Sequence, residues 1–175
     1  MKHILIPTDF SIPSLNAVHS AMSVFNDAPV RITLFHLLRM PDELPGIVFR
    51  AMRNKHYSLI TDEFKEGCEI LENRYGAALY SLKVKFAFGS TVSYLRNWLD
   101  GEQVTDILTC PDIPLGLPSP KSVAMLPLLK NTGYNVISIS SKARYQSLDT
   151  TTICMLRERG IRLLKQETEN YATKK

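Results

Sequence analysis

Cysteine is scarce in this 175-residue chain, and Cys68, Cys110 and Cys154 are scattered with no Cys-x-x-Cys pair. That argues against a disulfide framework and a cysteine zinc site, and it predicts reduced, mostly buried thiols. Long apolar runs are missing too. No stretch approaches the roughly 20 consecutive apolar residues of a membrane helix, and the opening Lys2-His3-Ile4-Leu5-Ile6-Pro7-Thr8-Asp9 meets a proline and an acid too soon for a signal peptide. A soluble, cytoplasmic protein without membrane contact is the expectation. His3, His19, His36 and His56 lack a His-x-x-x-His spacing and acids arranged for a metal, so no metal site is expected. His36, within an apolar run, reads as a satisfied core residue.

A surface of one sign is also absent. Residues 1–141 hold 13 Lys/Arg and 13 Asp/Glu, whereas residues 142–175 hold 8 against 4, so the formal +4 belongs to the tail. The main body therefore lacks the basic footprint of a nucleic-acid binder. What remains, 45% apolar and 22% charged residues, suits one compact domain with a real core.

The periodicities define alternating strands and helices. His3, Ile4, Leu5 and Ile6 form a short apolar strand closed by Pro7. Ser11 and Pro13 then suit the start of a helix carrying Leu15, Val18, Met22 and Phe25 on one face. Residues 31–38 (RITLFHLL) read as a strand buried on both faces. A loop with Pro41 and Pro45 leads to a helical segment with Ile60, Phe64, Cys68, Leu71 and Tyr75 in phase, and Gly76 as its C-cap. Residues 82–88 (LKVKFAF) predict an edge strand guarded by Lys83 and Lys85. Ser90 or Thr91 caps a short helix through Trp98. Residues 104–110 (VTDILTC) and 134–140 (YNVISIS) are the fourth and fifth strands, separated by a proline-rich loop and a helix from Ser122 to Lys130. This alternation predicts an open, five-stranded parallel α/β sheet with helices on both faces, whose ligand crevice lies at the carboxyl ends of the strands.

The run from Lys2 to Ser11, the helix with Ala17 and Ala21, and the second strand from Ile32 to Leu38 closely resemble the opening of universal stress proteins. Thr105-Asp106-Ile107-Leu108-Thr109-Cys110 is similar to that family's fourth strand, and Ser122-Val123-Ala124 to the start of its last helix. The resemblance covers residues 2–141 and implies a Rossmann-like fold with strand order 3-2-1-4-5. Family members that bind ATP carry a Gly-x2-Gly-x9-Gly-(Ser/Thr) loop after the fourth strand, whose backbone amides cradle phosphate. Here Pro111 and Pro114 stand where the first two glycines belong, and Lys121-Ser122 replaces Gly-Ser after a shortened loop. Proline neither donates an N–H nor reaches positive φ.

The sequence thus resembles the group without the ATP loop, implying a non-catalytic, dimeric stress-response or regulatory module without cofactor. The alternative is a nucleotide sensor taking ATP or AMP in a residual crevice of Pro7, Thr8, Asp9, Leu37, Lys121 and Ser122, with Lys121-Ser122 as a helix-start anion site. Val136, Ile137 and Ile139 on the fifth strand are the expected homodimer contact, with the C-terminal helix as an addition to it. Cys110, beside the crevice, reads as packing material rather than a nucleophile. Residues 142–175 lie outside the resemblance and predict an amphipathic basic helix with Ile153, Leu156 and Leu164 on one face. It packs on protein in preference to nucleic acid or membrane.

Overall fold

The computed structural model of the protein describes residues 1–25, 27–40 and 56–141. The loop holding Pro41 and Pro45, Cys154 and the C-terminal helix lie outside the described residues. Five strands, β1 (Lys2–Pro7), β2 (Val30–Leu38), β3 (Leu79–Phe88), β4 (Asp106–Thr109) and β5 (Val136–Ser138), form one sheet. The order is β3-β2-β1-β4-β5 and every pairing is parallel. The helices are α1 (Asn16–Val24), α2 (Asp62–Tyr75), α3 (Val92–Gly101) and α4 (Met125–Lys130). None of them is long and apolar enough to cross a membrane.

Strand alternation builds two apolar layers. Ile4, Ile6, Ile32 and Leu34 face α1 and α2, where they meet Leu15, Val18, Phe64 and Leu71. Leu5, Phe35 and Leu37 face the other way, onto Leu95, Leu99 and Leu129 of α3 and α4. Residues 31–38 are buried on both faces apart from Arg31, because the central strands have helices above and below. Each fully buried Leu or Phe contributes about 1.5–3 kcal/mol.

Local chemistry fixes the helix ends. Thr61 caps α2 by accepting the Phe64 amide at 3.2 Å, and Gly76 closes it at φ +48°. Thr91, rather than Ser90, caps α3 by accepting the Tyr94 amide. The chain enters α1 through a 3-10 turn, Ile12–Leu15, with Pro13 in its first turn.

Several bounds differ from the sequence reading. β3 begins at Leu79, three residues early, because an irregularity between Val30 and Arg31 lets Leu79 and Ser81 pair with β2 as well. β4 stops before Cys110, whose carbonyl accepts the Ile113 amide in a turn that places Pro111 at its second position. β5 is reduced to three residues, and beyond it the Asp112 carboxylate accepts hydrogen bonds from the Ser140 hydroxyl and from the amide and hydroxyl of Ser141. These bonds, the Ser141 amide foremost, hold Asp112 down at about 2 against the opposing effect of burial. The largest departure concerns α4, which starts at Met125 and not at Ser122.

Candidate functional site

The carboxyl ends of β1 and β2 position the residues singled out by sequence. Pro7 ends β1, and the Thr8 amide donates to the Phe35 carbonyl at 2.9 Å. Thr8 is fully buried, and its hydroxyl bonds Ser14 Oγ at 2.7 Å and accepts the Phe10 amide at 3.0 Å. Phe10 itself sits at φ 63°, in the left-handed region that a bulky side chain rarely occupies. Its ring compensates by packing against Phe64, Phe86 and His36. The turn this creates delivers Asp9 to the mouth of the strands.

Asp9 is engaged by the chain itself. Oδ1 accepts the amide of Ser11 at 3.0 Å and its hydroxyl at 2.6 Å, while Oδ2 accepts the Gly116 amide at 2.7 Å. A Cβ at position 116 would lie 3.3 Å from that same oxygen, so glycine permits the close approach. The Ser11 hydroxyl, expected at a helix cap, is thereby spent on Asp9.

The Leu37 backbone is occupied as well. Its carbonyl accepts the Val123 amide at 2.9 Å, and the Arg39 amide donates to the Lys121 carbonyl at 2.7 Å. Ser122 and Leu38 form an antiparallel bridge. Residues 119–122 form a turn closed by the Ser122 amide on the Ser119 carbonyl, and residues 121–123 strap across the end of β2. This corrects the expected helix-start anion site: Lys121-Ser122 is not at a helix N-terminus, because β2's unpaired end groups draw it into extended backbone pairing. The six-residue α4 begins later.

His36 fastens the strap from below. Its ring is fully buried, with Nδ1 2.7 Å from the Thr8 carbonyl and Nε2 2.9 Å from Ser122 Oγ. A carbonyl only accepts, so Nδ1 carries the proton and Nε2 accepts the Ser122 hydroxyl. Burial lowers the His36 pKa, with the Thr8 carbonyl and the Asp9 charge opposing and His56 adding to the effect. Ser122, His36 and the Thr8 carbonyl stand in the order of nucleophile, base and orienting group. Yet the amides of Lys121, Ser122 and Val123 donate to Ser119 Oγ, the Ser119 carbonyl and the Leu37 carbonyl, which leaves none of them for an oxyanion.

Beside the proline loop, Pro7, Thr109, Cys110, Ile113 and Leu115 line a cavity of about 10 Å³. That holds one water molecule at most. The Cys110 thiol is raised mainly by burial, with Ser20 partly offsetting and Asp112 adding, so it stays protonated near neutrality. Among the described residues no cluster of three or more His, Cys, Asp or Glu side chains could hold a metal ion. Sequence reading named Ser122 but missed its contact with His36 and the contact of Gly116 with Asp9. His36 and Ser122 are 86 positions apart and carry no joint pattern. Gly116 left a faint signal as the lone glycine in the 111–120 loop.

The fold and this strand-end crevice define a Rossmann-like α/β protein with a strapped switch point. Solved structures give that architecture a closer likeness. The universal stress protein UspA from Lactobacillus plantarum aligns over 79% of this chain and 97% of its own, with TM-score 0.52 and 14% identity. A universal stress protein in complex with cAMP aligns over 81% of this chain and 98% of its own, with TM-score 0.43 and 14% identity. A universal stress protein family protein from Arabidopsis thaliana with AMP bound aligns over 82% and 94%, with TM-score 0.43 and 12% identity. No family model and no curated protein sequence matches the chain. The five-stranded sheet and its order are those of the universal stress protein fold.

Proposed function

We propose that this chain is a universal-stress-like protein of the group without the ATP loop, a non-catalytic stress-response or regulatory module that works through protein contacts. One observation carries the reading: two acceptors of the residual crevice, Asp9 and the Leu37 carbonyl, are already engaged by Ser11, Gly116 and Val123 of the same chain. A nucleotide entering there has to displace the strap and break the bonds of Gly116, Lys121 and Val123 to Asp9, Arg39 and Leu37. Pro111 and Pro114 supply no amides to replace the lost cradle. The alternative, an ATP or AMP sensor, has to meet that whole cost from phosphate contacts alone.

Calorimetric titration with AMP, ATP and cAMP tests this. Each is expected to bind more weakly than about 1 mM, the affinity equivalent to only about 4 kcal/mol. Submillimolar binding that disappears in Asp9→Ala overturns the closed-crevice reading.

The proposed contact is a C2 dimer through β5. This three-residue edge strand exposes one side of its backbone, while Val136 and Ile137, with Ile139 just beyond, stay half-buried against the core. Light scattering at micromolar concentration should return twice the 19.8 kDa chain mass. A monomer would sink the dimer and leave the crevice argument untouched.

A further inference from the structure

A ligand-sized space lies at the opposite edge of the sheet from β5. A cleft of about 380 Å³ wraps the outer side of β3, with Tyr57 and Phe86 on one face of the sheet and Tyr94 and Trp98 on the other. The volume is that of a small-molecule site.

Its walls are fixed before any ligand arrives. Tyr94 Oη accepts the Phe88 amide at 3.0 Å, pinning the ring to the end of β3. Gly89 makes that possible, since a Cβ there would stand 2.4 Å from the Tyr94 ring. Trp98 packs on Phe35 with ring centroids 4.8 Å apart, and Tyr57 meets Phe86 edge-on at 5.3 Å. Tyr94 and Trp98 both stay half-buried, so each keeps a surface that faces the cleft.

The polar groups narrow the ligand class. Lys85 and Glu102 form an ion pair in the cleft, placing a donor beside an acceptor with no net charge. A ligand of one sign has to break this pair. A neutral ring with a carbonyl next to an N–H instead accepts from Lys85 and donates to Glu102 while the pair stays whole. We propose that the cleft binds a neutral, planar heteroaromatic molecule of one or two rings that carries adjacent hydrogen-bond acceptor and donor groups, stacked on Tyr94 and Trp98 beside Lys85 and Glu102. The site is separate from the crevice and does not depend on whether the strap opens.

Trp98 is the sole tryptophan in the sequence, so a single indole N–H signal reports the cleft. Titration of ¹⁵N-labelled protein with quinazolinone, a neutral bicyclic lactam, should shift that signal saturably with Kd of about 0.1–1 mM, as its size allows. N-methylquinazolinone, which keeps the rings and loses the donor, should bind about tenfold more weakly. Glu102→Ala, just beyond the end of α3 at a position that spares the core, should weaken quinazolinone by about tenfold with the free indole signal still dispersed. No saturable shift, equal binding of the methylated ring, or unchanged affinity in Glu102→Ala each overturns the proposal.

Discussion

Replacing His36 with leucine is expected to cost about 3–5 kcal/mol of folding stability, a large share of the 5–15 kcal/mol typical of a domain. Leucine fills most of the space but makes neither ring hydrogen bond. The Thr8 carbonyl loses its donor in the interior, and the Ser122 hydroxyl loses its acceptor below the strap. Each buried polar group left without a partner costs about 1–3 kcal/mol, and the packing of the ring on Phe10 is lost besides. Ser122→Ala should cost less, about 1–2 kcal/mol, because His36 keeps its bond to Thr8. Urea denaturation should show the His36→Leu midpoint falling with the slope unchanged. Hydrogen exchange at the Arg39 and Val123 amides, which hold the strap to Lys121 and Leu37, should accelerate in the same variant. A cost below about 1 kcal/mol would remove His36 from its place as the fastening of the crevice.

Acidification is the second large effect. Burial lowers the pKa of His19 to about 4, with Arg74 adding to the shift, and burial also lowers His3 and His36. In the unfolded chain these rings protonate near 6.5. Between about pH 6.5 and 4 the unfolded state therefore binds more protons than the folded one, and stability falls as the pH is lowered. The contribution is fully present above the unfolded value and is lost on the way down to the folded one. His19 alone, only 3% exposed, accounts for about 3 kcal/mol across that window. The Asp112 carboxylate acts in the same direction only below its unfolded range, toward 2, and does not confuse the measurement. Urea midpoints at pH 7 and pH 4.5 should differ strongly, and His19→Gln should remove the largest single part of the difference. Equal midpoints would contradict the burial of these rings in neutral form.

Much of the architecture was legible because its signals are local. The continuous apolar run at 31–38 can be satisfied only by cover on two faces, and β2 receives it. Phe64 and Leu71, one week of residues apart, share a helix face whatever lies opposite, and α2 buries both. The last helix failed for the converse reason. Ser122-Val123-Ala124 carries no breaker, and a helix through it satisfies local preference. The Leu37 carbonyl and the Arg39 amide at the end of β2 offered hydrogen bonds that a helix could not use, and the strap with its bridge at Ser122 resulted. Asp9 was legible as a polar group at the strand end, but not as one already satisfied.

The sequence by itself determined the scarcity of cysteine, the charge-balanced body, the alternation of strand and helix, and the prolines at 111 and 114 after the fourth strand. These depend on composition and on spacings of a few residues. Only the tertiary structure decided that residues 116–123 bond to the ends of β1 and β2 and that an aromatic cleft lies at the far edge. Those outcomes rest on pairs such as Asp9 with Gly116, 107 positions apart, and His36 with Ser122, 86 apart. Hydrogen-bond geometry across such separations is set by how the sheet orders its strands, and no local periodicity encodes it.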